Sequence, residues 1–357
     1  MNERLDTQTL LADRHAVYQA NYPHAQRSDA DETWFFSPDL ARVILSSTRE
    51  FSSRRERLSK WLIDCNETGL ATFYERWLMY TDGTAHKRRR SAVNMGLGRL
   101  PSVEFTNFDT TWAAQLPQRF DLVNDFASVL VWLALPRVLG IPDEAVNLWR
   151  RCIPPLVELP GQQTPSSDSV QEAKDALREL RRGVMHGAAG PLFHTLRVHL
   201  SLEDDLGSIT DIAINVIGDS IHPTIAALST EIWLRVCGGL EVGPTSRAQC
   251  LFHDEAPFQY AARVATQSTN LGGVLLRPND RVVACLGFRN AGSPALTFGH
   301  GPHSCPGRGF AEKIVMDGTG TFFSYFPHGI QILDGPVWKP SVGYRAIERL
   351  TLSSRRS

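Results

Sequence analysis

The sequence predicts a mainly α protein with small β-sheets, folded as a single domain over residues 1–357. Three observations predict it. Apolar residues recur at helical spacing through most of the first 236 positions. Short β-type runs gather in the C-terminal third, and no internal repeat or low-complexity linker divides the chain.

Residues 10–22 space their apolar side chains as a helix does, and Thr33-Trp34-Phe35-Phe36 follows as a β-type run. Ser37-Pro38-Asp39 is a helix start signal, with Leu40, Val43, Ile44 and Leu45 on the apolar stripe behind it. A long helical stretch follows the charged residues 54–57, and Asp82-Gly83-Thr84 opens a helix running to about Met95. Helical patterning then spans 108–157, with Val129 to Val138 strongly apolar. Residues 161–169 read as a polar loop and 171–182 as an amphipathic helix. The long apolar helix over 208–236 contains Pro223, which removes one backbone donor and is expected to kink or open it. Beyond it, 270–283 reads as a hairpin, 303–326 as a helix, and 330–352 as short strands around Pro336 and Pro340.

The 37 Lys and Arg residues nearly balance 38 Asp and Glu, so no global field draws the chain to nucleic acid or an anionic membrane. The run Lys87-Arg88-Arg89-Arg90 alone would read as a solvated helix face. Six cysteines are scattered without C-x-x-C pairs. Residues 1–13 carry no signal-peptide core, and no stretch approaches the roughly 20 apolar residues that span a bilayer. The expectation is a reduced, cytoplasmic protein with neither membrane nor nucleic acid as partner.

The chemistry concentrates at 298–311, which contains Phe298-x-x-Gly301-x-x-x-Cys305-x-Gly307 and then Ala311. This is a glycine-rich loop that delivers one cysteine to the start of a helix. Helix N-termini offer unpaired N–H groups and partial positive charge, which favour the metal-binding thiolate. Gly299, Gly301 and Gly307 allow close backbone approach to a flat cofactor, and Phe298 has the size to shield the sulfur.

This segment resembles the haem-ligand loop of the cytochrome P450 family, down to the intervening His300, Pro302 and His303. The resemblance implies a P450-like fold with haem b between the long central helix and the cysteine loop. It makes Cys305 the axial iron ligand, with Phe298, Gly299, His303, Gly307 and Ala311 around the cofactor. Asp82-Gly83-Thr84-Ala85-His86-Lys87-Arg88-Arg89-Arg90 resembles the family's helix whose His and Arg meet the haem propionates, here His86 and Arg90. Pro257 to Arg263 resembles the strand whose arginine does the same, here Arg263. The likeness spans nearly the whole chain and is weakest over about 140–205.

Three departures bear on function. The family's buried Glu-x-x-Arg pair would fall at Cys250-Leu251-Phe252-His253, where neither charge is present. Glu179-Leu180-Arg181-Arg182 fits the letters but precedes the long helix, and reads as an exposed helix face. Arg289-Asn290-Ala291-Gly292-Ser293-Pro294 leads almost directly into the haem loop, so a family loop is shortened. Over the haem, Gly218-Asp219-Ser220-Ile221-His222-Pro223-Thr224 puts isoleucine where the family has a proton-relaying threonine and serine where it has an acid. Asp219, Ser220, His222 and Thr224 could still supply protons by another route, with Asp219, His222 and Thr224 the candidates for catalysis, His222 because imidazole titrates near neutrality.

The resemblance implies a haem-thiolate oxidoreductase, a monooxygenase or oxidative tailoring enzyme acting on a small natural product. A ferredoxin or flavoprotein would supply its electrons. Ile221 and His222 keep open a non-redox alternative: rearrangement, dehydration or cyclisation at the haem. A non-catalytic partner protein of P450 type is the third reading, against which the intact cysteine loop argues.

Overall fold

A computed structural model describes residues 4–54, 56–100, 108–162, 165–202, 204–238, 255–287, 296–327 and 329–354. The first elements are α1 (Thr7–Ala12), α2 (Arg14–Asn21), β1 (Ala25–Arg27), β2 (Glu32–Phe35), α3 (Pro38–Ser46), β3 (Phe51–Ser52), α4 (Glu56–Asp64), α5 (Thr68–Glu75) and α6 (Gly83–Gly98). Next come β4 (Arg119–Asp121), α7 (Ser128–Val138), α8 (Asp143–Glu158), α9 (Ser167–Met185), α10 (Gly190–Leu200) and α11 (Leu206–Val236). The last are β5 (Tyr260–Ala265), β6 (Thr269–Leu271), β7 (Val274–Leu276), β8 (Arg281–Cys285), α12 (Arg308–Tyr325), β9 (Ile330–Trp338) and β10 (Ile347–Ser354). Helix dominates and the sheets are small, as the patterning predicts. No helix among the described residues is long and apolar enough to cross a membrane.

The chain forms two compact units, each discontinuous in sequence. One comprises Met1–Ser53, Asp109–Leu130 and Pro223–Ser357, the other Arg54–Phe108 and Val131–His222. Helices α7 and α11 each contribute to both.

The first unit is built on a five-stranded sheet of order β1-β2-β8-β5-β3, with β2 and β8 parallel. Alternation along its strands makes two apolar faces. Phe35, Val282 and Ala284 pack with Ile44, Leu45 and Phe51 on one side. Trp34, Val283 and Cys285 pack with Tyr18 and Phe36 on the other. Strand β10 pairs with both β9 and β4. Helix α12 is anchored by aromatic rings, Phe322 lying 4.9 Å from both Phe126 and Phe326.

In the second unit, Tyr74 donates to the Leu156 carbonyl at 2.9 Å and Trp149 to that of Ala188 at 2.7 Å, both buried. A fully buried carboxylate, Asp211, accepts from Arg76 Nη1 at 2.8 Å and from Arg181 Nε at 2.7 Å and Nη2 at 2.8 Å. A buried carboxylate is tolerated only with such partners. The segment 179–182 is therefore not simply an exposed face: Leu180 is buried and Arg181 belongs to this clamp. Likewise Arg88 and Arg89 both bind the buried Asp204, at 2.8 and 2.6 Å, so half of the basic run on α6 is structural.

Other departures from the sequence reading have local causes. The helix expected over 10–22 is two, because the Asp13 carboxylate caps α2 by accepting from Ala16 N–H at 3.0 Å. The hairpin expected over 270–283 ends at β7, and Asn279, at φ 73°, turns the chain into β8 and the larger sheet. Within 108–157, expected to be helical throughout, β4 forms because β10 offers it an edge. Helix α11 continues through Pro223 without a break. Residues 250–253 and 289–294, where the first two departures from the family fall, lie outside the described residues.

Candidate functional site

Cys305 stands two residues ahead of the N-cap of α12, Gly307, with its side chain exposed. The loop before it is closed by its own backbone. Cys305 N–H donates to the Phe298 carbonyl at 2.8 Å, Gly299 N–H to that of Leu296 at 2.7 Å, and Ser304 N–H to that of Gly301 at 3.1 Å. Ala311 N–H then begins the helical ladder on the Gly307 carbonyl at 3.0 Å. Phe298, Gly299, His303, Cys305, Gly307 and Ala311 all lie on this one short segment.

The glycines divide their roles. Gly301, at φ 68°, runs against the end of α3: a Cβ there would meet Ser46 Cα at 2.8 Å and the Leu45 carbonyl oxygen at 2.9 Å. Its close approach is therefore to this chain's own backbone, where a cofactor was expected. Gly307 has an ordinary φ of −91°, and a Cβ there would stand 4.0 Å from the Cys305 sulfur. It keeps the space beside the sulfur clear. The half-buried Phe298 carries the Arg308 guanidinium 5.2 Å above its ring, a contact the sequence reading missed.

Arg263 lies in β5, paired in register with Val282 of β8, and its Nη1 donates to the Ala262 carbonyl at 2.8 Å. His303 is half-buried at the end of a 3-10 turn over Gly301–His303. Thr224 is buried on α11. These belong to the first unit.

The second unit carries the other candidates. His86 and Arg90 lie one turn apart on α6, His86 only 3% exposed and Arg90 half-buried with Nε donating to Asn94 at 3.1 Å. On α11, His222 is half-buried and Ile221 fully buried. Asp219 accepts from Asn215 Nδ2 at 2.6 Å, and Asn215 Oδ1 in turn accepts from Leu78 N–H at 3.0 Å. Burial pushes the Asp219 carboxyl up to about 7, outweighing the Asn215 donor that pulls it down. A carboxyl poised there can give or take a proton near neutral pH. Asn215 was missed from sequence, although its four-residue spacing from Asp219 was a usable signal.

The donor set at the head of α12 fits a thiolate-ligated haem. One exposed sulfur sits at a helix N-terminus, with cleared space beside it and an aromatic ring on the same loop. Cys305 would hold the iron. Arg263 and His303 have the charge or donors that haem carboxylates need.

No family model matches the chain. Among curated proteins it is similar to the biotin biosynthesis cytochrome P450 of Bacillus subtilis, 20% identical over 269 residues, covering 66% of this chain and 68% of that one. Among solved structures it resembles P450BioI in complex with an acyl carrier protein bearing hexadec-9Z-enoic acid (TM-score 0.74, 16% identity, 97% of this chain and 100% of that one). Epothilone D-bound P450epoK superposes equally well (TM-score 0.74, 17% identity, 97% of each chain). P450 RauA, complexed with a biosynthetic intermediate of aurachin RE, covers 98% of both chains at TM-score 0.72 and 16% identity. The chain has the cytochrome P450 fold.

Proposed function

We propose that this chain is a haem-thiolate oxidoreductase of cytochrome P450 type, acting on a small natural-product substrate. The observation that carries the reading is the exposed Cys305 at the head of α12, held by the Phe298 carbonyl beside the space that Gly307 leaves open. Residues 1–357 act as one domain in the cytoplasm, with haem b as cofactor. A ferredoxin or flavoprotein would donate electrons. Bound haem supplies one-electron and oxygen chemistry, and thiolate ligation favours O–O cleavage.

The chain's own groups supply the rest. His86, Arg90, Arg263 and His303 anchor the haem carboxylates by charge-assisted hydrogen bonds. Asp219 holds or moves a proton at Oδ1, since Oδ2 accepts from Asn215 Nδ2. His222 and Thr224 are further proton-transfer groups on the same helix. The similar structures named above hold an acyl chain on a carrier protein, epothilone D and an aurachin intermediate. They favour a mostly apolar biosynthetic substrate, free or carrier-borne.

A non-redox haem-thiolate reaction is the second reading, favoured by Ile221, which is fully buried and offers no proton where the family resemblance places a threonine. A non-catalytic partner protein is the third. The test begins with the purified full chain reduced under carbon monoxide. A long-wavelength Soret band absent from Cys305→Ser supports the proposal, and its persistence in that variant removes Cys305 as ligand. Absence of haem from the wild-type chain favours the partner reading. Substrate turnover is then assayed with an electron donor, with peroxide, and with neither. Turnover with neither selects the non-redox reading.

A further inference from the structure

We propose that Asn215 is a positioning residue for Asp219: its side-chain amide, oriented by the Leu78 backbone, holds the Asp219 carboxyl in the arrangement from which it exchanges its proton. The inference rests on the reading above that Asp219 serves the reaction.

Three features of the geometry carry it. Asn215 is 3% exposed, so both ends of its amide must find partners inside the protein. Leu78 N–H, just after the Trp77 ring, can only donate, and it meets Asn215 Oδ1 at 3.0 Å. That contact fixes which end of the amide is oxygen, a choice the side-chain shape leaves open. The NH2 end is thereby turned toward position 219, one helical turn on, where it donates to Oδ2 at 2.6 Å. Asp219 thus receives a directed donor from its own helix, aimed by a backbone group of a different segment.

The chemical consequence is a balance. Burial disfavours the charged carboxylate and the Asn215 donor favours it, so the carboxyl sits near neutrality instead of being locked as acid. Other titratable groups leave this balance largely alone. Tyr74 of α5 is committed to the Leu156 carbonyl, and burial pushes its pKa up, with Tyr80 and Asp219 adding to the rise. Tyr80 follows Leu78 on the same short turn. Along α11, His222 lies three residues on, and Asp211 two turns back is clamped by Arg76 and Arg181.

The experiment titrates Asp219 in the full chain by infrared difference spectroscopy, its band assigned with Asp219→Asn. Asn215→Leu removes donor and acceptor together. Asn215→Asp keeps the shape and still accepts from Leu78 N–H, yet replaces the donor by a second carboxyl. Both variants are expected to move the Asp219 titration to higher pH. The turnover limb assigned to Asp219 should move with it, while haem content stays at the wild-type level. An unmoved titration in both variants overturns the inference, as does a uniform loss of turnover with no change in the pH profile. A shifted titration with wild-type turnover in Asp219→Asn keeps the Asn215 assignment and instead removes Asp219 from the reaction. If Asn215→Leu does not fold, the isosteric Asn215→Asp decides alone.

Discussion

Asn215 and Asp219, one turn apart on α11, share a 2.6 Å hydrogen bond, and the donor's other end is held by the Leu78 backbone. Burial raises the Asp219 carboxyl to about 7, a shift of the kind that gathers at functional sites. Four residues later comes Pro223, which has no N–H to give the Asp219 carbonyl. Side chain and backbone of this residue are thus both unusual, two residues before Ile221.

The carboxyl's folded value of about 7 lies above the ordinary 3.8, so the folded state keeps a proton that the unfolded chain releases between those values. Its contribution is full below about 4, falls as pH rises toward 7, and is flat beyond. Asp219→Asn should remove that slope. Relative to wild type, the variant should gain about 2–4 kcal/mol at pH 8 and little near pH 4. Urea unfolding at several pH values checks this, and parallel curves for the two proteins would refute it.

Glu255 should behave with the opposite sign. It is 8% exposed, and burial alone would raise its pKa, but hydrogen bonds from His15 and Arg345 outweigh burial and hold it at about 2. Its stabilisation is present above the ordinary 4.5 and lost as pH falls toward 2. Glu255→Gln should cost about 2–4 kcal/mol at pH 7 and much less near pH 2, measured by denaturant unfolding. Equal losses at both pH values would show that packing, not charge, is at stake.

The two loop glycines should respond differently. Gly301→Ala places a Cβ against the Ser46 and Leu45 backbone at positive φ, and neither neighbour is a flexible side-chain tip. It should cost at least about 1–3 kcal/mol and lower haem content. Gly307→Ala meets only the Cys305 sulfur, at 4.0 Å, so the fold should survive while the haem absorption spectrum changes. Thermal melting together with the carbon monoxide spectrum separates the two.

Haem retention tests the proposed carboxylate anchors. Arg90 donates to Asn94 and Arg263 to the Ala262 carbonyl, and each guanidinium carries five N–H donors. Charge-assisted hydrogen bonds sheltered from water contribute about 1.5–3 kcal/mol each. Replacing Arg90 and Arg263 together by alanine should therefore speed haem transfer to apomyoglobin by an order of magnitude or more. A wild-type rate would take both residues out of the site.

The sequence by itself determined the features whose physics is local. Ser37-Pro38 starts α3, and the segment from Phe298 to Ala311 brings one cysteine to the head of α12 through glycine spacing and a helix start alone. The one-turn spacing of His86 and Arg90 likewise follows from helical periodicity. Only the tertiary structure decided what depends on partners distant in sequence. Arg181 reads as a surface charge until Asp211 is placed beside it, and β4 reads as helix until β10 supplies an edge. Gly301 reads as a cofactor contact until α3 is found against it. The spacing of Asn215 and Asp219 was visible in the chain, but the Leu78 N–H that orients the amide comes from a segment well over a hundred residues earlier. Periodicity reports which face of an element is apolar. It carries no information about which distant donor will meet a buried polar group, because that is settled only when the elements pack and the group must exchange water for a protein partner.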